Sequence, residues 1–390
     1  MNIPRVLHVL EPTIGGTRAY MSALVRAINQ DVFKCGLVYS TQRADSGWPA
    51  VMAEAEKRGW YLCELPMFRE VKPLSDALCA WRLRQIARTF GAQIIHGHSS
   101  KAGALARLAA LATNAKVIYS PHGIAVHLGR PYEVIERLLA PITSHFVAVS
   151  DSERAKLLAL RLASPDRISV VCTAIDTPAQ ATPYTTVADQ VPIVAGIGRL
   201  VPEKNPLAFV DLVALLNSGG RRVRGVWVGD GELRPQMEER VRAHGLGPLF
   251  EITGWCLEPS VQVGRAAVVV STSVSEGLSV AIAEAFALGR PVVASAITGT
   301  TDIMEGDLSR WLYTSGDLNT AAGLVAQLLA DENGARQVGE CGQRMVAARF
   351  THARMSQAIS EVYQSVLGEH AIPKDELSPT SSSSSSVTVA

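Results

Sequence analysis

Residues 192–197 read Pro192-Ile193-Val194-Ala195-Gly196-Ile197, and the run breaks at Gly198-Arg199-Leu200-Val201-Pro202-Glu203-Lys204-Asn205. A short apolar run closed by a glycine turn and followed by a helical segment describes a strand buried on both faces of a sheet. The same unit recurs downstream, with strands predicted at 223–228, 250–253, 267–271 and 291–294. It also recurs upstream, at 6–10, 93–96 and 146–149, with helices at 17–29, 75–90, 101–112 and 152–162. Alternation of this kind predicts βαβ units, and therefore doubly wound parallel sheets of the α/β class.

The alternation stops once. Residues 176–190 (DTPAQATPYTTVADQ) hold two prolines, many Thr and Ala, and no buried run. They read as a connection between two Rossmann-like halves, with the cleft between the halves as the ligand site. The boundaries that follow are 1–176 for the first half, 177–190 for the linker and 191–350 for the second half. A helix at 351–368 repeats through Met355, Ile359, Val362 and Val366 and is placed to cross back onto the first half. The tail at 369–390, with six consecutive serines, has too little apolar surface to offset its ordering entropy and is expected to be disordered.

Composition narrows the function. The 390 residues carry 37 Lys plus Arg against 36 Asp plus Glu, so no global basic field suits nucleic acid. Cys35, Cys63, Cys79, Cys172, Cys256 and Cys341 show neither a C-x-x-C pair nor zinc spacing, and read as thiols of a reducing compartment. The apolar stretch after Met1 is too short for a signal peptide, and no window is apolar enough for a spanning helix. A cytoplasmic protein is expected. Neither a G-x-G-x-x-G nor a Walker-type loop occurs, which disfavours dinucleotide and P-loop enzymes.

Three segments of the second half carry chemistry. Arg199 and Lys204 project from a turn at a strand's carboxyl end, where α/β sheets bind ligands, and two cations suit a diphosphate held without a metal. A solvated basic loop is the alternative. Gly229-Asp230-Gly231-Glu232-Leu233 reads as a tight structural turn. In Ser275-Glu276-Gly277-Leu278-Ser279, Glu276 precedes a helix that contains Glu284. Eight residues of helix would separate the two carboxylates by roughly 12 Å, enough for one to reach a sugar and the other a ribose. The N–H groups of Gly277, Leu278 and Ser279 could cradle phosphate between them. Glu284 sits in an otherwise apolar helix, so its carboxylate needs a partner.

Together, GRLVPEKN, GDGEL and SEGLSVAIAEA resemble the retaining glycosyltransferases of family 4, which have the GT-B fold. The resemblance implies that Arg199 and Lys204 bind the donor diphosphate, that Glu276 holds the donor sugar and that Glu284 holds the ribose. It implies no metal and no cofactor, and front-face attack in which the departing diphosphate takes the acceptor's proton. The first half would then be the acceptor side and the second half the nucleotide-sugar side. Gly15-Gly16 would border the donor phosphates and the acceptor. His122, in Ser120-Pro121-His122-Gly123, matches the family's active-site histidine. With His96-Gly97-His98, also expected to point into the cleft, this segment resembles members that build bacterial surface polysaccharides. Where such members often carry Gly-Gly-x-x-Glu, this chain has Ala296-Ile297-Thr298-Gly299-Thr300-Thr301-Asp302, so no base-edge acid transfers. The expected reaction moves a hexosyl group from a UDP-sugar, or next GDP-mannose, to a glycan, in particular a lipid-linked one. A basic amphipathic segment at 72–88 suits contact with an inner membrane, with an ordinary solvated helix face as the commoner reading of such a composition. Alternatives are a non-hydrolysing sugar-nucleotide epimerase of the same fold and a catalytically silent nucleotide-sugar-binding subunit.

Overall fold

The computed structural model describes residues 3–111, 113–123, 130–176, 191–256 and 258–368. The first half holds strands β1 (Arg5–Leu10), β2 (Lys34–Tyr39), β3 (Tyr61–Glu64), β4 (Ile94–His98), β5 (Lys116–Ser120), β6 (His145–Ala148) and β7 (Ile168–Val170). They form one parallel sheet in the order β3-β2-β1-β4-β5-β6-β7. The second half holds β8 (Ile193–Ile197), β9 (Arg224–Val228), β10 (Phe250–Ile252), β11 (Val268–Ser271), β12 (Val292–Ser295) and β13 (Leu312–Tyr313). These give a second parallel sheet, β10-β9-β8-β11-β12-β13. Each sheet turns back on its order at a central pair, β1/β4 and β8/β11, and loops at such switch points form the ligand crevice.

The cores explain why the strands read as continuous apolar runs. Val6 and Leu10 of β1 pack with Met21 and Leu24 on one face, while Leu7 and Val9 pack with Leu83 and Leu105 on the other. The helix His352–Leu367 belongs to the first of these clusters, through Met355, Ile359, Val362 and Tyr363. Thr351 caps its start by accepting the Arg354 N–H, and Gly368 ends it in the left-handed region. The chain reaches this helix past a bond from the Ile175 N–H to the Phe350 carbonyl (2.8 Å), with His352 against Asp176. The linker and the serine-rich tail lie outside the described residues.

Two boundaries change the reading of the site. β4 runs through His98, so His96 and His98 lie within a buried strand and do not follow one. The helix bearing Glu284 begins at Val280. The helical ruler therefore spans only Val280 to Glu284, and Glu276 is placed by an irregular loop instead.

Candidate active site

A cleft of about 1040 Å³ lies between the halves, lined by both switch-point loops. From the first half come Gly15, Gly16, Arg43, Arg69 and His122; from the second come Arg199, Lys204, Glu276, Gly277, Leu278 and Glu284. Ser279 is not among them. It is buried, and its N–H donates to the Gly299 carbonyl (3.3 Å), so it is not the free phosphate donor that the sequence suggested.

β8 delivers Arg199 and Lys204. Lys204 Nζ pairs with Glu276 Oε1, which also accepts the Ser273 hydroxyl at 2.8 Å. The lysine stem crosses directly over Gly198 (φ +144), where an added Cβ would stand 3.1 Å from Lys204 Cε. Arg199 reaches across the cleft: a Cβ on Gly15 (φ +61) would lie 3.4 Å from Arg199 Nε. Burial lowers the proton affinity of Arg199, and Arg43 and Arg69 opposite push the same way, against Glu203. Arg199 has no ion pair among the described residues. Arg43 is held by Glu11 through two bonds, of 2.8 and 2.7 Å. The result is a concentration of positive charge that an anion would neutralise.

Glu284 is the opposite case, a carboxylate facing the cleft with no hydrogen bond or ion pair among the described residues. Burial raises its pKa to about 7, against the pull of Arg18 and Lys204. The Gly229-Asp230-Gly231 turn is braced by its own contacts, and Gly229 and Glu232 also line the cleft. The Asp230 carboxylate accepts the Gly231 N–H (2.8 Å) and Arg234 (2.8 Å), and a Cβ at Gly229 would collide with the Gly198 carbonyl.

Of the three histidines expected in the cleft, only His122 reaches it. His96 and His98 are buried behind it, His96 between the Tyr363 (2.9 Å) and Ser120 (2.8 Å) hydroxyls. His8, His96 and His98 are close enough together to suggest a metal site. Their rings, however, lie close against one another, with His96 and His98 centroids 4.1 Å apart, and every ring nitrogen except His8 Nε2 is already bonded to a neighbour. That geometry does not converge lone pairs on one point.

Sequence reasoning missed the residues that join the two halves. Ser150 caps the helix Asp151–Ala159, and its hydroxyl donates to the Gly277 carbonyl across the cleft (2.8 Å). The Ser152 hydroxyl donates to Asp302 (2.8 Å). Buried Glu153 accepts the N–H groups of Gly123 (2.6 Å) and Val149 (2.8 Å), which anchors the turn bearing His122. Ser150-x-x-Glu153 is a capping-box signature, and it was visible in the sequence.

Two family models match the chain, one described as Glycosyltransferase Family 4 over residues 14–178 and one as Glycosyl transferases group 1 over residues 191–331. The chain belongs to glycosyltransferase family 4. An Escherichia coli UDP-Gal:α-D-GlcNAc-diphosphoundecaprenol α-1,3-galactosyltransferase is 24% identical, over 68% of this chain and 73% of its own length. An α-maltose-1-phosphate synthase of Mycolicibacterium smegmatis is 27% identical, over 73% and 82%. Among solved structures, Anabaena HepE in complex with UDP and glucose superposes with a TM-score of 0.77 at 19% identity, covering 93% of this chain and 100% of that one. The fold is GT-B, and this glycosyltransferase moves a sugar from a nucleotide-sugar donor. The epimerase and silent-subunit alternatives are set aside with that assignment.

Proposed function

We propose that this glycosyltransferase transfers a hexosyl group from a UDP-sugar to a lipid-linked glycan of bacterial polysaccharide synthesis, with retention of anomeric configuration. The observation that carries the donor half is the placing of unpaired Arg199, Glu276-paired Lys204 and unpartnered Glu284 on one cleft wall. The cations take the diphosphate, Glu284 takes the ribose hydroxyls, and Glu276 takes the sugar hydroxyls. As the bond from C1 to the phosphate oxygen breaks, charge grows on the leaving group, where Arg199 and Lys204 stabilise it. The acceptor oxygen bonds to C1 on the same face, and its proton passes to the departing phosphate oxygen. The relatives that act with UDP favour UDP over GDP-mannose.

In thermal-shift measurements, UDP and UDP-hexoses should raise the melting temperature more than GDP or ADP sugars do. Product NMR should show the donor's anomeric configuration. Inversion, or a larger response to GDP-mannose, would sink the corresponding part of the reading.

Support for an amphiphilic acceptor comes from the first half. Leu74, Leu78 and Trp81 are exposed at helical spacing on Pro73–Phe90. Leu108 in the helix Ser100–Ala110, Leu111 just after it, and Val134 and Leu138 on Arg130–Leu139 are exposed as well. Val71, Leu108 and Leu138 also line the cleft, and Lys72, Arg82 and Arg137 are exposed around the patch. An apolar face edged with cations suits the interface of an anionic bilayer, and placing it there would bring a lipid-linked acceptor to the cleft. None of the described helices is long and apolar enough to cross a membrane. The protein should float with vesicles containing phosphatidylglycerol, and L74S/L78S/W81S should reduce the bound fraction by roughly tenfold while leaving UDP binding intact. Equal flotation of the variant would count against membrane docking.

A further inference from the structure

Behind His122, three imidazoles are bonded in a string. His122 Nε2 meets His98 Nδ1 at 3.0 Å, and His98 Nε2 meets His8 Nδ1 at 3.1 Å. His8 and His98 have no exposed surface, and desolvation drives the proton affinity of all three rings far below that of a free histidine. The string is therefore neutral, with one ring proton per imidazole and two hydrogen bonds to fill. His98 uses both nitrogens, so it must donate at one end and accept at the other, and the three tautomers are coupled.

Only two arrangements satisfy that count. In one, His98 donates to His8, and His8 is left with a proton on Nε2. That atom is buried and has no hydrogen-bond partner. In the other, His8 donates from Nδ1 to His98, His98 donates from Nδ1 to His122, and His8 Nε2 is a bare lone pair. A buried N–H with no acceptor is rarer in proteins than an underused acceptor. The second arrangement therefore prevails, and it leaves the remaining proton of His122 on Nδ1. His122 lines the cleft, and Nε2 carries its one hydrogen bond among the described residues.

We propose that His98 is a positioning residue for His122, and that the His8–His98–His122 string fixes His122 as a neutral Nδ1–H donor facing the cleft. The backbone is held to match. His122 is in the left-handed region (φ +55), and the next N–H, that of Gly123, is bound by Glu153. So held, His122 donates to a sugar hydroxyl or a phosphate oxygen and has no free lone pair with which to take the acceptor's proton. For its kinetic consequence the inference rests on the donor-site reading above; the tautomer itself does not.

The test begins with ligand-free, histidine-15N-labelled full-length protein, with the His122 resonances assigned by their loss in His122→Gln. His122 is expected as the neutral Nδ1–H form. His98→Phe keeps the ring's shape but removes both bonds; it should give a mixture of tautomers and lower kcat roughly ten- to hundredfold on the nucleotide sugar selected by thermal shift. Donor KM should move less than kcat. His98→Asn keeps an amide donor near the Nδ1 position and should restore kcat to within about threefold of wild type. An Nε2–H or doubly protonated His122 in the wild type would overturn the proposal. So would equal impairment of the Phe and Asn variants at matched melting temperature, or no impairment in either. Failure of every nucleotide sugar to stabilise the protein would instead sink the donor reading and leave the tautomer result standing.

Discussion

Lys204→Met is expected to lower kcat by about 10²–10³-fold, the loss seen when one preorganised group that stabilises developing charge is removed. The geometry makes the effect local. Lys204 Nζ is paired with Glu276, and its stem lies over Gly198, so the ammonium is held at the cleft wall before any ligand arrives. Methionine keeps the length and packing of the stem and deletes only the charge. Glu276 keeps the Ser273 hydroxyl as partner but loses its charge partner in a mostly buried place, so the free protein should lose on the order of 1–3 kcal/mol. Donor affinity should fall less than kcat does, because the charge on the leaving oxygen is larger in the transition state than in the bound donor. Steady-state kinetics beside a melting curve would separate the two. A kcat within about tenfold of wild type, with UDP binding lost, would assign Lys204 to uniform binding and not to departure of the diphosphate.

Much of this was legible in the sequence, because buried parallel strands write themselves as uninterrupted Val and Ile runs, and glycine turns at their carboxyl ends mark the switch points. The order GRLVPEKN, GDGEL, SEGLSVAIAEA placed Arg199, Lys204, Glu276 and Glu284, and all four line one cleft. What could not be read were facts of three-dimensional neighbourhood. His96-x-His98 alternates onto one face of a strand, but no pattern says whether that face meets ligand or core; here it meets His8 and Tyr363. The N–H of Ser279 looked free because its acceptor, the Gly299 carbonyl, lies twenty residues away on another loop. The helix start slipped from Gly277 to Val280 because the loop before it turns through Gly277 to meet the other half of the molecule.

That meeting gives the altered segment after β12 a structural role. Gly277 packs so closely on the turn of the first half that an added Cβ would stand 3.1 Å from the Gly123 nitrogen. Asp302, from the stretch that departs from the family's pattern, accepts the Ser152 N–H at 3.4 Å as well as its hydroxyl. Its carboxylate thus sits at the positive N-terminal end of the helix Asp151–Ala159, a favourable place for an anion. Acid chemistry in this segment is spent on joining the halves, beside the loop that carries Glu276.

Glu284→Gln should change stability and binding in opposite directions. In the free protein burial raises the carboxyl to about 7 from an ordinary value of 4.5. The folded state then holds a proton that the unfolded chain has released between those two values, so stability falls as pH rises from about 4.5 to about 7 and is level above. At pH 8 the wild type bears the full cost of an unpartnered carboxylate, on the order of 1–3 kcal/mol. Glutamine removes that cost, and the melting temperature at pH 8 should rise by a few degrees, with little change near pH 4.5. Ribose hydroxyls, by contrast, bind the ionised carboxylate best, since charge-assisted hydrogen bonds are the stronger kind. Wild-type UDP affinity should therefore increase as pH rises through about 7 and then level off, apart from the phosphate's own titration near 6. The glutamine variant should bind roughly tenfold more weakly at pH 8 and lose the step at 7. Calorimetric titrations of both proteins across pH 5.5–8.5, paired with melting curves, would show both trends. A variant that is neither more stable nor weaker for UDP at pH 8 would remove Glu284 from the ribose site.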